Sequence, residues 1–174
     1  VKARDIHGRV GYQGTQAAYS WILATVELPM GHLDTARTCI AEGATSPALR
    51  RNVQFLGSES LLRGELAFRE GDASTALNHY LRAVKLLRDG KRDAEESNAL
   101  AQLARVHLAL GDAAAALAAT RRATAIHRKH DLAPIQGMTP AMVWWEHARA
   151  LTANRRESDA RKALERAYES MRKG

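Results

Sequence analysis

Apolar and small residues recur along this chain at a period much longer than a helical turn. The stretch "FREGDASTALNHYLRAVKLL", from Phe68, aligns with "LALGDAAAALAATRRATAIH", from Leu108. In each, a Gly-Asp pair is followed five residues after the glycine by Ala76 or Ala116, and twelve after it by Ala83 or Ala123. The two glycines, Gly71 and Gly111, stand 40 residues apart. A further step of 40 backwards reaches Gly31, with Ala36 and Gly43 at the same offsets, and a step forwards puts Ala160 and Ala167 there if Arg155 holds the turn. Repetition on this scale is the mark of stacked helical units. Four units follow, with turns near 31, 71, 111 and 155.

The pattern between breakers predicts helices over 15–29, 32–43, 47–70, 73–89, 93–110, 113–130, 140–153 and 157–172. Ser46-Pro47 and Thr139-Pro140 read as a cap followed by a first-position proline, and Asp89-Gly90 as a stop. "HDLAPIQGMTP", His130 to Pro140, is the longest break and stretches the last turn-to-turn spacing to 44. A turn glycine takes a positive φ at little cost, and the aspartate after it can cap the next helix by accepting a backbone N–H. Arg155 in that conformation would cost about 1 kcal/mol, so the last turn is expected to differ or to use Asn154. The small residues let antiparallel helices approach at the close end of their range. The expectation is an all-α fold: one domain over 15–174, in units near 15–46, 47–91, 92–131 and 138–174, with 1–14 a remnant of a preceding segment or repeat.

These units resemble tetratricopeptide repeats, whose first helix carries a large residue, a leucine, a small residue and a tyrosine-like residue at fixed places. Leu100, Leu103, Ala104 and His107 occupy those places before the turn at 111, and Trp144, His147, Ala148 and Leu151 before 155. Ser60, Arg63, Gly64 and Ala67 fill them less well, and Ser20, Leu23, Ala24 and Glu27 less well again. The resemblance covers residues 15 to 172 and implies a right-handed solenoid of four helix pairs, eight helices, in units lengthened to about 40 residues. "MVWWEHARALTANRRESDARKALERAYESM" also resembles the closing repeats of large bacterial signalling and transcriptional regulators that carry an ATPase or cyclase module. There the repeat region is a sensor and interaction arm.

Composition narrows the function. No apolar run approaches the roughly 20 residues needed to cross a bilayer, so no membrane partner is expected. Cys39 is the only cysteine, which excludes an intrachain disulfide and points to a reducing, cytoplasmic setting. A start without an initiator methionine and an end directly after a helical pattern suggest a piece of a longer protein. The net charge of +7 is uneven: residues 1–100 carry 13 basic and 12 acidic groups, residues 101–174 carry 13 and 7. That basic half admits a nucleic acid as an alternative partner, although "TRRATAIHRKH" and "RKALERAYESMRK" read first as solvated outer faces, and no polar code for RNA is present.

Candidate chemistry is thin. His147 follows Glu146, but the metalloprotease pattern needs a second histidine four residues away. His127 and His130 are three apart at a helix end, where basic groups are favoured by the helix dipole in any case. No phosphate loop, nucleophile elbow or paired carboxylates are present, so no catalytic, cofactor-binding or metal-binding residue is expected and the chain reads as a non-enzyme.

Function is therefore sought in a groove. In the tetratricopeptide family the first helices line a concave surface, with binding positions about ten and six residues before each turn. That implies Trp21, Glu65, Arg105, Trp145 and Arg149 as groove candidates, with Asn98 the one hint of the family's carboxylate clamp. Trp145 and Arg149 are four apart, on one helical face, where a guanidinium can stack on an indole. Trp21 and Trp145 share one repeat position and read first as packing, with the groove anchor as the alternative. The expected partner is a protein, a peptide or another domain of the same chain, with a small-molecule effector as a further alternative. Exposed end repeats also invite self-association.

Overall fold

In a computed structural model, residues 13–46, 51–130 and 139–173 are described. They form eight helices and no strand: α1 (Gln13–Met30), α2 (Leu33–Ala44), α3 (Val53–Arg69), α4 (Ala73–Asp89), α5 (Asp93–Ala109), α6 (Ala113–His130), α7 (Pro140–Ala153) and α8 (Glu157–Lys173). The fold is all-α. Among the described residues no helix is long and apolar enough to cross a membrane.

One turn design recurs five times. Gly31, Gly71 and Gly111 take φ of 80°, 85° and 81°, and Lys91 and Arg155 take 54° and 57°. At each, the next residue's N–H reaches back five positions, as in Asp72 to the Ala67 carbonyl at 2.9 Å and Arg156 to the Leu151 carbonyl at 2.9 Å. This closure satisfies carbonyls that a helix end leaves without partners. The last turn thus keeps the same geometry despite its arginine. Asn154 adds to it, donating from Nδ2 to the carbonyls of Ala113 at 2.6 Å and Ala150 at 2.7 Å. α4 ends at Asp89 as expected, but Lys91, not Gly90, carries the positive φ.

The aspartates after the turn glycines do cap. Oδ1 of Asp72 accepts from the Thr75 N–H at 2.9 Å, and that of Asp112 from the Ala115 N–H at 2.9 Å. Hydrogen bonds from Thr75, then Ser74, hold the Asp72 carboxyl at about 2. Thr139 caps α7, with Pro140 in its first turn. The start expected at Ser46-Pro47 is corrected: α3 begins at Val53, because extended Asn52 accepts from the Gln54 N–H at 2.9 Å. Of the expected remnant, 1–14, and the expected break, 130–140, residues 1–12 and 131–138 lie outside the described residues, as do 47–50, while 13 and 14 belong to α1.

The chain divides into two compact units, Val1–Leu86 and Leu87–Gly174. In the first, α1, α2 and α3 pack on one another around Trp21, Ala24, Leu28, Ala36, Cys39, Ile40, Leu62 and Leu66. In the second, α5, α6 and α7 pack mutually and α8 packs on α7. Ala116, Ala123, Ala160 and Ala167, the periodic small residues, are all buried there. Along the first-helix pattern, Leu100, Leu103, Ala104, Trp144, Ala148 and Leu151 are buried. Leu23 departs from it: with Tyr19, Ile22, Val26 and Met30 it forms an exposed stripe on α1.

One buried charge pins the second unit together. Glu96 is 2% exposed, and its Oε1 accepts from Arg88 Nε at 2.9 Å and Arg122 Nε at 2.7 Å, joining α4, α5 and α6. Burial raises the pKa of this carboxyl, but the bonds from Arg122 and Arg88 outweigh it and leave the value below the ordinary range.

Candidate functional site

The groove candidates separate once their surroundings are known. Trp21 is a correction: it is 5% exposed and belongs to the core of the first unit. Its indole lies against Gly43, where a β-carbon would stand 2.0 Å from Nε1. Nε1 donates to the Ile40 carbonyl at 3.4 Å, and the Phe55 ring packs against the indole with centroids 5.4 Å apart. Glu65 is also turned to structure, accepting from Arg69 Nε at 2.6 Å and from Tyr80 Oη at 3.0 Å.

The remaining four lie on α5 and α7, two helices of the second unit that pack on one another. Trp145 is 53% exposed, and Met142, one turn earlier on the same face, is 43% exposed. Trp144, the next residue, is 6% exposed, so adjacent tryptophans face opposite ways. Arg149 does not stack on Trp145. Its Nη1 donates to both oxygens of Glu146, at 2.9 and 3.1 Å. Burial pushes the Glu146 carboxyl above the ordinary carboxylate range, against the pull of Arg149 and Arg105. Glu146 is therefore paired with Arg149 and feels the charge of Arg105 from α5. Asn98 sits two turns before Arg105 on α5, with its Oδ1 buried and without a hydrogen-bond partner.

A second feature was missed by sequence reasoning. A cleft of about 460 Å³ opens between α6, α7 and α8, lined by Arg121, Arg128, Arg156, Lys162 and Arg166, with Trp144 also in its lining and Asp159 as its acidic residue. The guanidiniums of Arg128 and Arg166 lie 5.7 and 5.2 Å from the centroid of the Trp144 ring, an arrangement the ring quadrupole favours. His147 also lines it, with Nδ1 2.9 Å from Thr120 Oγ1. Burial first, then the charges of Arg128, Arg121 and Arg156, push its imidazole down to about 4, so it is neutral at pH 7. The signal lay in register: Arg121 and Arg128 are seven apart, as are Asp159 and Arg166, which puts each pair on one helical face. The two basic stretches read as outer faces thus turn part of their charge towards a common hollow.

Among the described residues no group of three or more histidine, cysteine, aspartate or glutamate side chains could hold a metal ion. His127 stands edge-on to Trp144, with centroids 6.3 Å apart. The side chain of His130 lies outside the described residues.

Comparison of the sequence with family models and with curated proteins gives no match. Among solved structures, the chain is similar to that of BtubC (BKLC) from P. vanneervenii, with a TM-score of 0.60 over 98% of this chain and 87% of that one. At 15% identity the likeness is one of fold alone.

Proposed function

We propose that this chain is a non-enzymatic protein-interaction module, built as a right-handed solenoid of tetratricopeptide-like helix pairs. Two observations support the architecture. Within each unit three successive helices pack on one another, α1 to α3 and α5 to α7, as stacked pairs do. The recurring turn with a positive φ at 31, 71, 111 and 155 keeps the register of the four units.

The interaction role rests on Trp145. A tryptophan 53% exposed, beside Met142 and flanked by the Arg149–Glu146 pair, leaves apolar area in water on a helix whose other side is buried. Tryptophan and arginine are the residue types that most often carry binding energy, at 2 kcal/mol or more for a hot spot. The partner that fits is a protein segment with an apolar anchor for the indole and polar groups for its charged rim. In this reading the chain is an arm of a larger bacterial signalling or regulatory protein, and its partner is another protein or another domain of its own chain.

The test places a photo-crosslinking residue at Trp145, and in parallel at exposed Arg161 on α8. Crosslinks from 145, absent from 161 and lost in Arg149→Ala, support the reading. The same adducts from both positions overturn it. Trp145→Ala is expected to keep its helicity and melting temperature by circular dichroism, and its unfolding would return Trp145 to the core.

A further inference from the structure

We propose that the basic cleft of α6, α7 and α8 binds a polyphosphate-bearing small molecule of nucleotide size. Its five lining cations face one carboxylate, and that carboxylate is already committed, Asp159 Oδ2 accepting from Arg156 Nε at 2.9 Å. Among the described residues, Arg121, Arg128, Lys162 and Arg166 have no carboxylate within ion-pair distance. Elsewhere in the unit Arg88 and Arg122 are taken up by Glu96, and Arg149 by Glu146. Like charges around one hollow repel, and an anion placed there lowers that repulsion.

Geometry selects the kind of anion. The lining carries an excess of four positive charges, and a triphosphate brings on the order of four negative charges at neutral pH on one compact group. An acidic peptide carries each charge on a separate residue, which spreads it over more length than the hollow offers. A volume of about 460 Å³ is at the small end of ligand sites. Guanidinium forks suit phosphate oxygens, and two of them are already held in place against Trp144, so less side-chain entropy is lost on binding. Two guanidiniums already lie against the Trp144 indole, so recognition is of the phosphates and not of a stacked base.

The experiment titrates the whole chain by calorimetry with inorganic triphosphate, ATP and a single-stranded oligonucleotide at about 50 mM salt. Triphosphate and ATP are expected to bind one to one, with affinity reduced about tenfold or more in Arg128→Gln and Arg166→Gln and unchanged in Arg161→Gln. Because Arg128 and Arg166 also touch Trp144, Arg121→Gln and Lys162→Gln repeat the test without disturbing the indole, and circular dichroism confirms that each variant is folded. The proposal is overturned if neither triphosphate nor ATP binds at about 1 mM, if Arg161→Gln weakens binding as much as the cleft variants, or if the oligonucleotide binds more tightly than triphosphate. These outcomes are independent of any partner at Trp145.

Discussion

Gly43→Ala tests how the first unit is packed. The added methyl would stand 2.0 Å from Nε1 and 2.2 Å from Cδ1 of Trp21, where ordinary contact begins near 3.4 Å. The indole must therefore shift by more than an ångström. Its movement is restrained, since Phe55 packs against it and Nε1 is bonded to the Ile40 carbonyl. Overpacking of this kind costs about 1–3 kcal/mol, and loss of the indole hydrogen bond adds about 1 kcal/mol. Against this, alanine inside a helix is better than glycine by about 1 kcal/mol. The net expectation is a loss of about 1–3 kcal/mol in urea unfolding followed by far-UV circular dichroism. Trp21→Leu removes the obstacle, and in that background Gly43→Ala should stabilise by up to about 1 kcal/mol. The coupling in the double-mutant cycle is then about 2 kcal/mol or more. A Gly43→Ala protein as stable as its parent with Trp21 in place would refute this seating of the indole.

Three further outcomes follow from the second unit. Glu96→Gln should cost about 1–3 kcal/mol, below the full penalty for a broken buried pair because both arginines are half in water. Since the Glu96 pKa is depressed in the fold, its contribution is present above the ordinary carboxylate pKa and lost as pH falls through the folded value; denaturation curves of Glu96→Gln should lack that acid limb. His147 acts in the same direction over a higher window: its folded value of about 4 lies below the ordinary 6.5, so the unfolded chain takes up the proton first and stability declines as pH drops between them. His147→Gln should flatten urea midpoints across that window, and an unchanged slope would remove His147 as the cause. Arg155→Gly relieves a positive φ of 57°, and its melting temperature should hold or rise slightly, because the gain of about 1 kcal/mol is offset by glycine's greater freedom when unfolded; Gly71→Ala should fall.

Helix positions were legible because breakers and caps act locally: Gly71-Asp72 and Gly111-Asp112 fix an end and a start in two residues. The start of α3 was not: Ser46-Pro47 reads as a cap and a first-position proline, yet the helix that ends at Arg69 begins at Val53, where the Asn52 side chain accepts from the Gln54 N–H. The two tryptophans at one repeat position show a subtler limit. Twelve residues after its turn, the first unit has Gly43 where the others have Ala83, Ala123 and Ala167. That missing methyl is what admits the Trp21 ring, and it was visible in the alignment, but its meaning depends on which side chain lies opposite. Trp145 faces water, and Arg149 chose Glu146 one turn away over the indole. The cleft was hidden for another reason: its arginines come from helices separated by some 30 residues, and neither stretch differs from a solvated face until α7 brings Trp144 between them.

The alanines that let these helices approach have a thermal consequence. Ala24, Ala36, Ala76, Ala83, Ala99, Ala101, Ala104, Ala116, Ala123 and Ala150 are all wholly buried, yet each exposes little hydrocarbon on unfolding compared with leucine or phenylalanine. The heat capacity of unfolding tracks newly wetted apolar surface and averages about 12–15 cal/mol/K per residue in globular proteins. An interior of methyl groups should fall below that average. A smaller heat capacity flattens the dependence of stability on temperature, so the same residues that set the helix spacing also give the chain a shallow, broad optimum and move cold unfolding further below freezing.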